Sequence, residues 1–303
     1  MKLLNFVLYT LCFLFFNLYL LKYSLSSSEA VSKSVSFDKN LNQRINSSYS
    51  VEEHFKFPLR NLIEKGENVS GKRPFFVVVN IRDRQRCGGS IITAYWVITA
   101  AHCVFPFKLD QLSVYLGDFS VNDSPTRKIG VRAKRVHRKY AESYPKFEPF
   151  YDIALLKLNE PVGDPRFVIP VCNKKPSYGR LLGMCGIGFV NQTKKLYPET
   201  LQETFLFEQR PGWIKAQCRE EFICTDNTIR DSVPCQGDSG SPLYLMGHSW
   251  CEPQRVQCLY GVASHRLKRS VDREMEIYFM SIPFFYKWIK NTIENSFKIV
   301  NYQ

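Results

Sequence analysis

The chain has 303 residues, enough for one or two domains. With 45% hydrophobic and 23% charged residues its composition is that of a globular protein with a sizeable core, not of a disordered chain. The formal net charge is +13, no nucleic-acid motif accompanies it, and the ten cysteines include no CxxC pair of the kind that holds zinc, so they point to an oxidising compartment.

Residues 1–30 start with Lys2 and run almost continuously apolar from Leu3 to Leu21, broken by Asn5, Thr10 and Asn17. They end in Lys22 and the stretch Ser24-Leu25-Ser26-Ser27-Ser28-Glu29-Ala30. This is the layout of a secretory signal peptide with a small-residue exit. The apolar run approaches the length that spans a bilayer, so an uncleaved signal-anchor is the alternative, and with it membrane attachment. Cys12 lies inside the run and leaves nine cysteines for pairing. Residues 31–61 are polar, rich in Ser and Asn and without periodicity, as in a propeptide or linker. Asn46, Asn68, Asn122 and Asn191 each open an Asn-x-Ser/Thr triplet, an acceptor for glycosylation in a secreted chain.

From residue 75 onward, short β-branched and aromatic runs alternate with turns: FFVVV at 75–79, SII at 90–92, WVI at 96–98 and LSVYL at 112–116. They predict the short strands of an all-β barrel or sandwich. The third run leads into Thr99-Ala100-Ala101-His102-Cys103, a histidine placed directly after a buried strand. Between 127 and 139 stand Arg127, Lys128, Arg132, Lys134, Arg135, Arg138 and Lys139 with no acid among them. Such a field is either a solvated basic strand edge or a site for a polyanion or acidic protein. Tyr151-Asp152-Ile153-Ala154-Leu155-Leu156 sets an aspartate before another apolar strand.

The stretch Cys235-Gln236-Gly237-Asp238-Ser239-Gly240-Ser241-Pro242 holds a serine in a glycine-rich turn. Gly237 and Gly240 allow backbone conformations that a Cβ forbids. Such a turn aims the N–H groups of Gly237 and Ser239 at one point, which is what a developing oxyanion needs. A serine hydroxyl becomes a nucleophile only when a base takes its proton. His102 supplies that base, and Asp152 the group that orients it. At the C-terminus, Phe285, Trp288, Ile289, Ile293 and Phe297 recur at helical spacing and predict a closing helix over 282–299.

TAAHC, DIALL and GDSGSP, in this order, resemble the trypsin/chymotrypsin family of serine proteases over residues 62–295. The resemblance implies an all-β fold of two six-stranded antiparallel β-barrels with a C-terminal helix, formed by residues 62–303, with His102, Asp152 and Ser239 as a catalytic triad in the cleft between the barrels. Gly237 and Ser239 then form the oxyanion hole. Cys87 pairs with Cys103 and Cys218 with Cys224, as family pairs, and Cys185 is left to join Cys251 or Cys258. Ser264 matches the family's serine near the triad aspartate. Asp238 is the expected partner of a new N-terminal ammonium after an activating cut. Protein or peptide is the implied substrate. No cofactor or metal is implied: Asp118 begins a loop that binds calcium in relatives, but no acid closes it near Thr126.

The chain also departs from the family. The usual activation pattern, a basic residue followed by Ile-Val-Gly-Gly, is degraded to Arg60-Asn61-Leu62-Ile63-Glu64-Lys65-Gly66. The base of the specificity pocket, six positions before Ser239, is Val233. The wall that usually reads Ser-Trp-Gly reads Ser264-His265-Arg266, and a second wall glycine is replaced by Glu276. Arg266 and Glu276 either face each other and fill the pocket, select an acidic or a basic substrate residue, or point to solvent on loops of different length. Two functions follow: a secreted serine endopeptidase, or a protease homologue that binds a partner without catalysis.

Overall fold

The computed structural model describes residues 67–68, 73–82, 85–116, 127–143, 150–176, 180–189, 197–208, 218–225, 237–247, 256–268 and 275–298, excepting the side chains at 67–68, 207, 266–268, 275–276 and 297–298. All of them belong to one compact unit, Pro58–Gln303. The expected signal segment, the polar stretch 31–61 and the triplets at Asn46, Asn122 and Asn191 lie outside the described residues, and Asn68 is described in its backbone alone. Among the described residues no helix is long and apolar enough to cross a membrane.

Strands β2 (Phe76–Ile81), β3 (Gln85–Thr93), β4 (Trp96–Thr99), β5 (Leu112–Leu116), β6 (Arg127–Val136) and β7 (Ala154–Leu158) form a closed antiparallel barrel in the order β2-β3-β4-β7-β6-β5. A second sheet runs β9 (Gln202–Phe207), β8 (Leu181–Gly186), β11 (Pro242–Met246), β12 (Val256–Lys268), β13 (Met275–Ser281) and β10 (Phe222–Thr225), with the two-residue β1 (Glu67–Asn68) added beside β9. A bridge between Glu208 and Thr225 joins the ends of β9 and β10 and closes this ring as well. The fold is the expected pair of six-stranded barrels.

The unbroken apolar runs read from the sequence are strands buried on both faces. Side chains alternate along a strand. On β2, Val77, Val79 and Ile81 point into the first barrel with Ile91, Val97, Val114 and Leu156. Phe76 and Val78 point the other way, into a seam with Trp96, Ile98 and Leu155 and with Tyr244, Met246 and Val262 of the second barrel. The second barrel has its own interior of Met184, Leu206, Leu243, Tyr260 and Phe279. The closing helix α3 (Ile282–Lys298) follows β13 directly and carries Pro283 in its first turn, where a missing N–H costs nothing. Ile282, Phe285 and Ile289 are buried in the same seam, flanked by half-buried Trp288 and Ile293.

Cys87 bonds Cys103 and Cys218 bonds Cys224. The third disulfide joins Cys172 to Cys258 and corrects the expectation that Cys258 is open to Cys185. The inter-barrel linker is laid along β12, with Leu259 N–H donating to Pro170 O at 2.8 Å and Cys172 N–H to Leu259 O at 2.9 Å, so Cys172 arrives beside Cys258. Cys185 lies on β8 opposite Glu203, with β11 between it and β12. It is a free, buried thiol whose pKa burial pushes up. Cys235 and Cys251 lie outside the described residues.

Candidate active site

His102 sits in the single turn α1 (Ala101–Val104) that leaves β4. Three contacts fix this turn. Cys103 is bonded to Cys87 on β3, and Thr99 donates its hydroxyl to Gly88 O at 2.8 Å. Lys134 on β6 donates its ammonium to the carbonyls of Val104, Phe105 and Phe107, at the end of α1 and just beyond it. Burial lowers the pKa of that ammonium.

Asp152 is 3% exposed and occupies the centre of a three-residue turn, with Ile153 N–H donating to Tyr151 O at 2.7 Å. Tyr151 enters the turn at φ 59°, a conformation a non-glycine residue holds only when its surroundings impose it. His137 stacks on its ring at 5.0 Å, Phe285 of α3 meets it edge-on at 5.9 Å, and Lys139 donates to its hydroxyl at 3.1 Å. The carboxylate is thereby set against His102. Oδ1 accepts the His102 backbone N–H at 2.8 Å, and Oδ2 lies 2.7 Å from His102 Nδ1. Ser264 on β12 donates its hydroxyl to the same Oδ2 at 2.6 Å.

An ionised carboxylate only accepts hydrogen bonds, so His102 Nδ1 is the donor and its neutral ring carries the lone pair on Nε2. Burial disfavours charge on both groups. On His102 the neighbouring Asp152 charge and hydrogen bond outweigh it and raise the imidazole above its ordinary 6.5. On Asp152 burial is likewise outweighed, by His102 and then by the Ser264 bond, and the carboxyl is held below 3.8. The arrangement is a base with a stabilised conjugate acid.

The serine turn lies against the segment that carries this histidine, whose Nε2 is 3.6 Å from Cys103 Sγ. Gly237 and Gly240 have φ of 105° and 82°. A Cβ on Gly240 would run into Gly88 O and Thr99 Oγ1, so the turn is fitted closely to the first barrel. Ser239 O accepts from Gly88 N–H at 2.8 Å and lies 3.9 Å from Cys103 Sγ, next in sequence to His102. Gly240 N–H is taken by Ala263 O and Ser241 N–H by Asp238 O. Among the described residues no backbone carbonyl takes the N–H of Gly237 or Ser239. Asp238 is 1% exposed, with Oδ1 accepting from Gly188 N–H at 2.7 Å. A side chain at Gly186 or Gly188 would occupy the place of its carboxylate. The Gly-Ile-Gly run at 186–188 is thus part of the seat of Asp238, a role its spacing alone does not signal.

Of the pocket residues, Val233 lies outside the described residues. Ser264 is buried at a bulge of β12, and Arg266 and Glu276 are described in their backbones alone. Arg266 pairs with Ile277 and Glu276 with Leu267, so these two positions are one step out of register and not opposite each other on the ladder. His265 stacks on Tyr278 at 4.8 Å and meets the Phe222 edge at 5.6 Å. The one described group that brings three metal-type ligands together is Cys87, Cys103 and His102, and the disulfide consumes two of them.

The basic stretch divides by strand geometry. Lys134 is turned inward onto the carbonyls of the His102 loop. Arg127 donates to the carbonyls of Pro161 and Val162 and pairs with Glu160. The short helix α2 (Arg138–Glu142) pairs Arg138 with Glu142. Arg132 and Arg135 stand exposed on the outer face, Arg132 over the Tyr95 ring, and both act on Lys157 of β7, whose pKa burial and then these two charges lower.

The family model described as Trypsin matches residues 63–289. Kallikrein-8 of Mus musculus is 28% identical over 246 residues, covering 77% of this chain and 87% of its own length. Coagulation factor IX of Oryctolagus cuniculus is 28% identical over 218 residues, 65% of this chain and 78% of its own. Among solved structures, neuropsin, a serine protease expressed in the limbic system of mouse brain, aligns with a TM-score of 0.61 at 26% identity, over 75% of this chain and 98% of that one.

Proposed function

The chain belongs to the trypsin family of serine proteases, and we propose that it is an active endopeptidase that hydrolyses peptide bonds through an acyl-enzyme on Ser239. The observation that carries this reading is the set of hydrogen bonds on Asp152, from His102 Nδ1, His102 N–H and Ser264, which leaves the lone pair of His102 on Nε2, on the loop that the serine turn touches through Cys103 and Gly88. In the reaction His102 Nε2 takes the Ser239 proton as Oγ bonds to the scissile carbonyl carbon. The N–H groups of Gly237 and Ser239 receive the oxyanion. The imidazolium, held by Asp152, protonates the leaving amine, and water repeats the steps to free the acid. A fluorophosphonate probe should label the secreted protein once it is cut near Arg60 and leave Ser239→Ala, cut in the same way, unlabelled. Equal labelling of the two would end this reading.

Synthesis as a secreted, glycosylated precursor completes the proposal. It is supported by three disulfides, which persist in oxidising compartments, and by the apolar leader and Asn-x-Ser/Thr triplets of the sequence. A cut near Arg60 would free an ammonium for the buried Asp238. A non-catalytic binding role is the second reading, favoured by Arg266 and Glu276 at positions the family keeps small.

A polyanion is the further partner this reading admits, on the face bearing Arg132 and Arg135. Neutralising both is expected to lower the salt needed to elute the protein from a heparin column, since each phosphate-like or sulfate contact releases counterions. Unchanged elution would make the face a solvated strand edge.

A further inference from the structure

Ser264 has one hydroxyl proton, and Asp152 Oδ2 takes it at 2.6 Å. The Ser264 oxygen therefore meets His265 Nδ1, 3.1 Å away, as an acceptor. That fixes the proton of neutral His265 on Nδ1 and leaves the lone pair on Nε2. Neighbouring residues on a regular strand face opposite sides. Here β12 carries one extra residue: Ala263 pairs with Phe279 and His265 with Tyr278, and Ser264 is the insertion. Bulges re-aim side chains, and this one lets residues 264 and 265 share a hydrogen bond. The imidazole is held on both sides, stacked 8° from parallel on Tyr278 and against the edge of Phe222.

We propose that His265 is a positioning residue for Asp152: its Nδ1–H, donated to Ser264 Oγ, fixes the direction and strength of the hydrogen bond that Ser264 gives to the carboxylate. A hydroxyl that accepts a hydrogen bond donates a stronger one. The stronger that donation, the less negative charge Asp152 turns toward His102, and the more readily the imidazolium gives up its proton. The titratable groups facing His265 are Asp152 and His102 across Ser264 and the Tyr278 phenol on β13, while β10 meets it with the Phe222 ring. Burial lowers the pKa of His265, opposed by Asp152 and reinforced by His102, so its ring is neutral where His102 titrates.

The test rests on the proposed catalysis in one arm alone. His265→Phe keeps a ring against Tyr278 and Phe222 and removes the donor. His265→Asn returns an N–H near the place of Nδ1. In the protein cut near Arg60, nitrogen NMR of the imidazoles should find neutral His265 as the Nδ1–H tautomer. The titration midpoint of His102 should rise in His265→Phe by about half a pH unit and return in His265→Asn. The acid limb of kcat/KM should move with it, since activity needs neutral His102. An Nε2–H tautomer, or a His102 midpoint that His265→Phe leaves in place, overturns the proposal. If the midpoint moves in a protein that hydrolyses nothing, the endopeptidase reading falls and the role of His265 stands. If the protein hydrolyses peptides and the midpoint stays, the reverse holds.

Discussion

Asp152→Asn should lower kcat by about 10⁴-fold while leaving the fold in place. The side chains have the same shape, so Asn fits the buried place of Asp152 without a change of volume. What changes is the sense of one bond. The carboxylate obliges His102 to hold its proton on Nδ1, whereas an amide NH₂ in the same place donates to Nδ1 and sends the proton to Nε2. Nε2 is then a donor and cannot take the proton of Ser239. The electrostatic support of the imidazolium is lost with the charge, so the raised His102 midpoint falls. The pH dependence of stability changes too. The depressed Asp152 pKa contributes stability that is present above about 4 and lost as the pH falls through the depressed value. The raised His102 pKa contributes stability that is present below 6.5 and lost as the pH rises through the raised value. The variant should show neither dependence. Steady-state kinetics on a peptide ester, beside unfolding curves across pH, check both expectations, and a kcat within tenfold of the wild type would remove Asp152 from the mechanism.

What the sequence made legible follows from the range of the interactions involved. The strands of the first barrel could be read because both of their faces are buried, so β-branched and aromatic residues fill consecutive positions such as Phe76 to Val79. The closing helix could be read because Phe285, Trp288, Ile289, Ile293 and Phe297 recur at helical spacing, and the first four form one buried or half-buried stripe. His102, Asp152 and Ser239 could be singled out because the turns that hold them are local and carry their own residue signatures. The inward turn of Lys134 onto the His102 loop could not be read, because it depends on a ladder between strands far apart in sequence and on a register shift between Val131 and Ala133. The Cys172–Cys258 bond was hidden for the same reason: only the linker lying along β12 brings the two together. His265 was visible as a departure from the family wall, but its bond to Ser264 needs the bulge, and no periodicity announces a single inserted residue.

A second large effect is expected far from the serine, at Arg73. This residue precedes β2 of the first barrel and is 7% exposed, yet its partners Glu203 and Tyr244 belong to β9 and β11 of the second. Arg73 Nε lies 2.6 Å from Glu203 Oε1 and 3.1 Å from the Tyr244 hydroxyl, and that hydroxyl donates to the same carboxylate oxygen. Burial works against the guanidinium charge, but the Tyr244 and Glu203 contacts outweigh it and its pKa is raised. Burial keeps the Tyr244 phenol protonated and so a donor. Arg73→Met removes one charge and leaves the other with no water to turn to, which should destabilise the protein by about 3–5 kcal/mol. Replacing the whole cluster, as Arg73→Met with Glu203→Leu and Tyr244→Phe, removes the stranded charge and the stranded hydroxyl together. Apolar groups of similar volume in such a place are often neutral or better, so the triple variant should recover most of the loss. Urea unfolding of the two variants beside the wild type measures this directly. A single variant as stable as the wild type would mean that the charges are not desolvated as their burial requires. A triple variant no better than the single one would mean that the cluster acts by its shape, as a peg between the barrels, rather than by its charge.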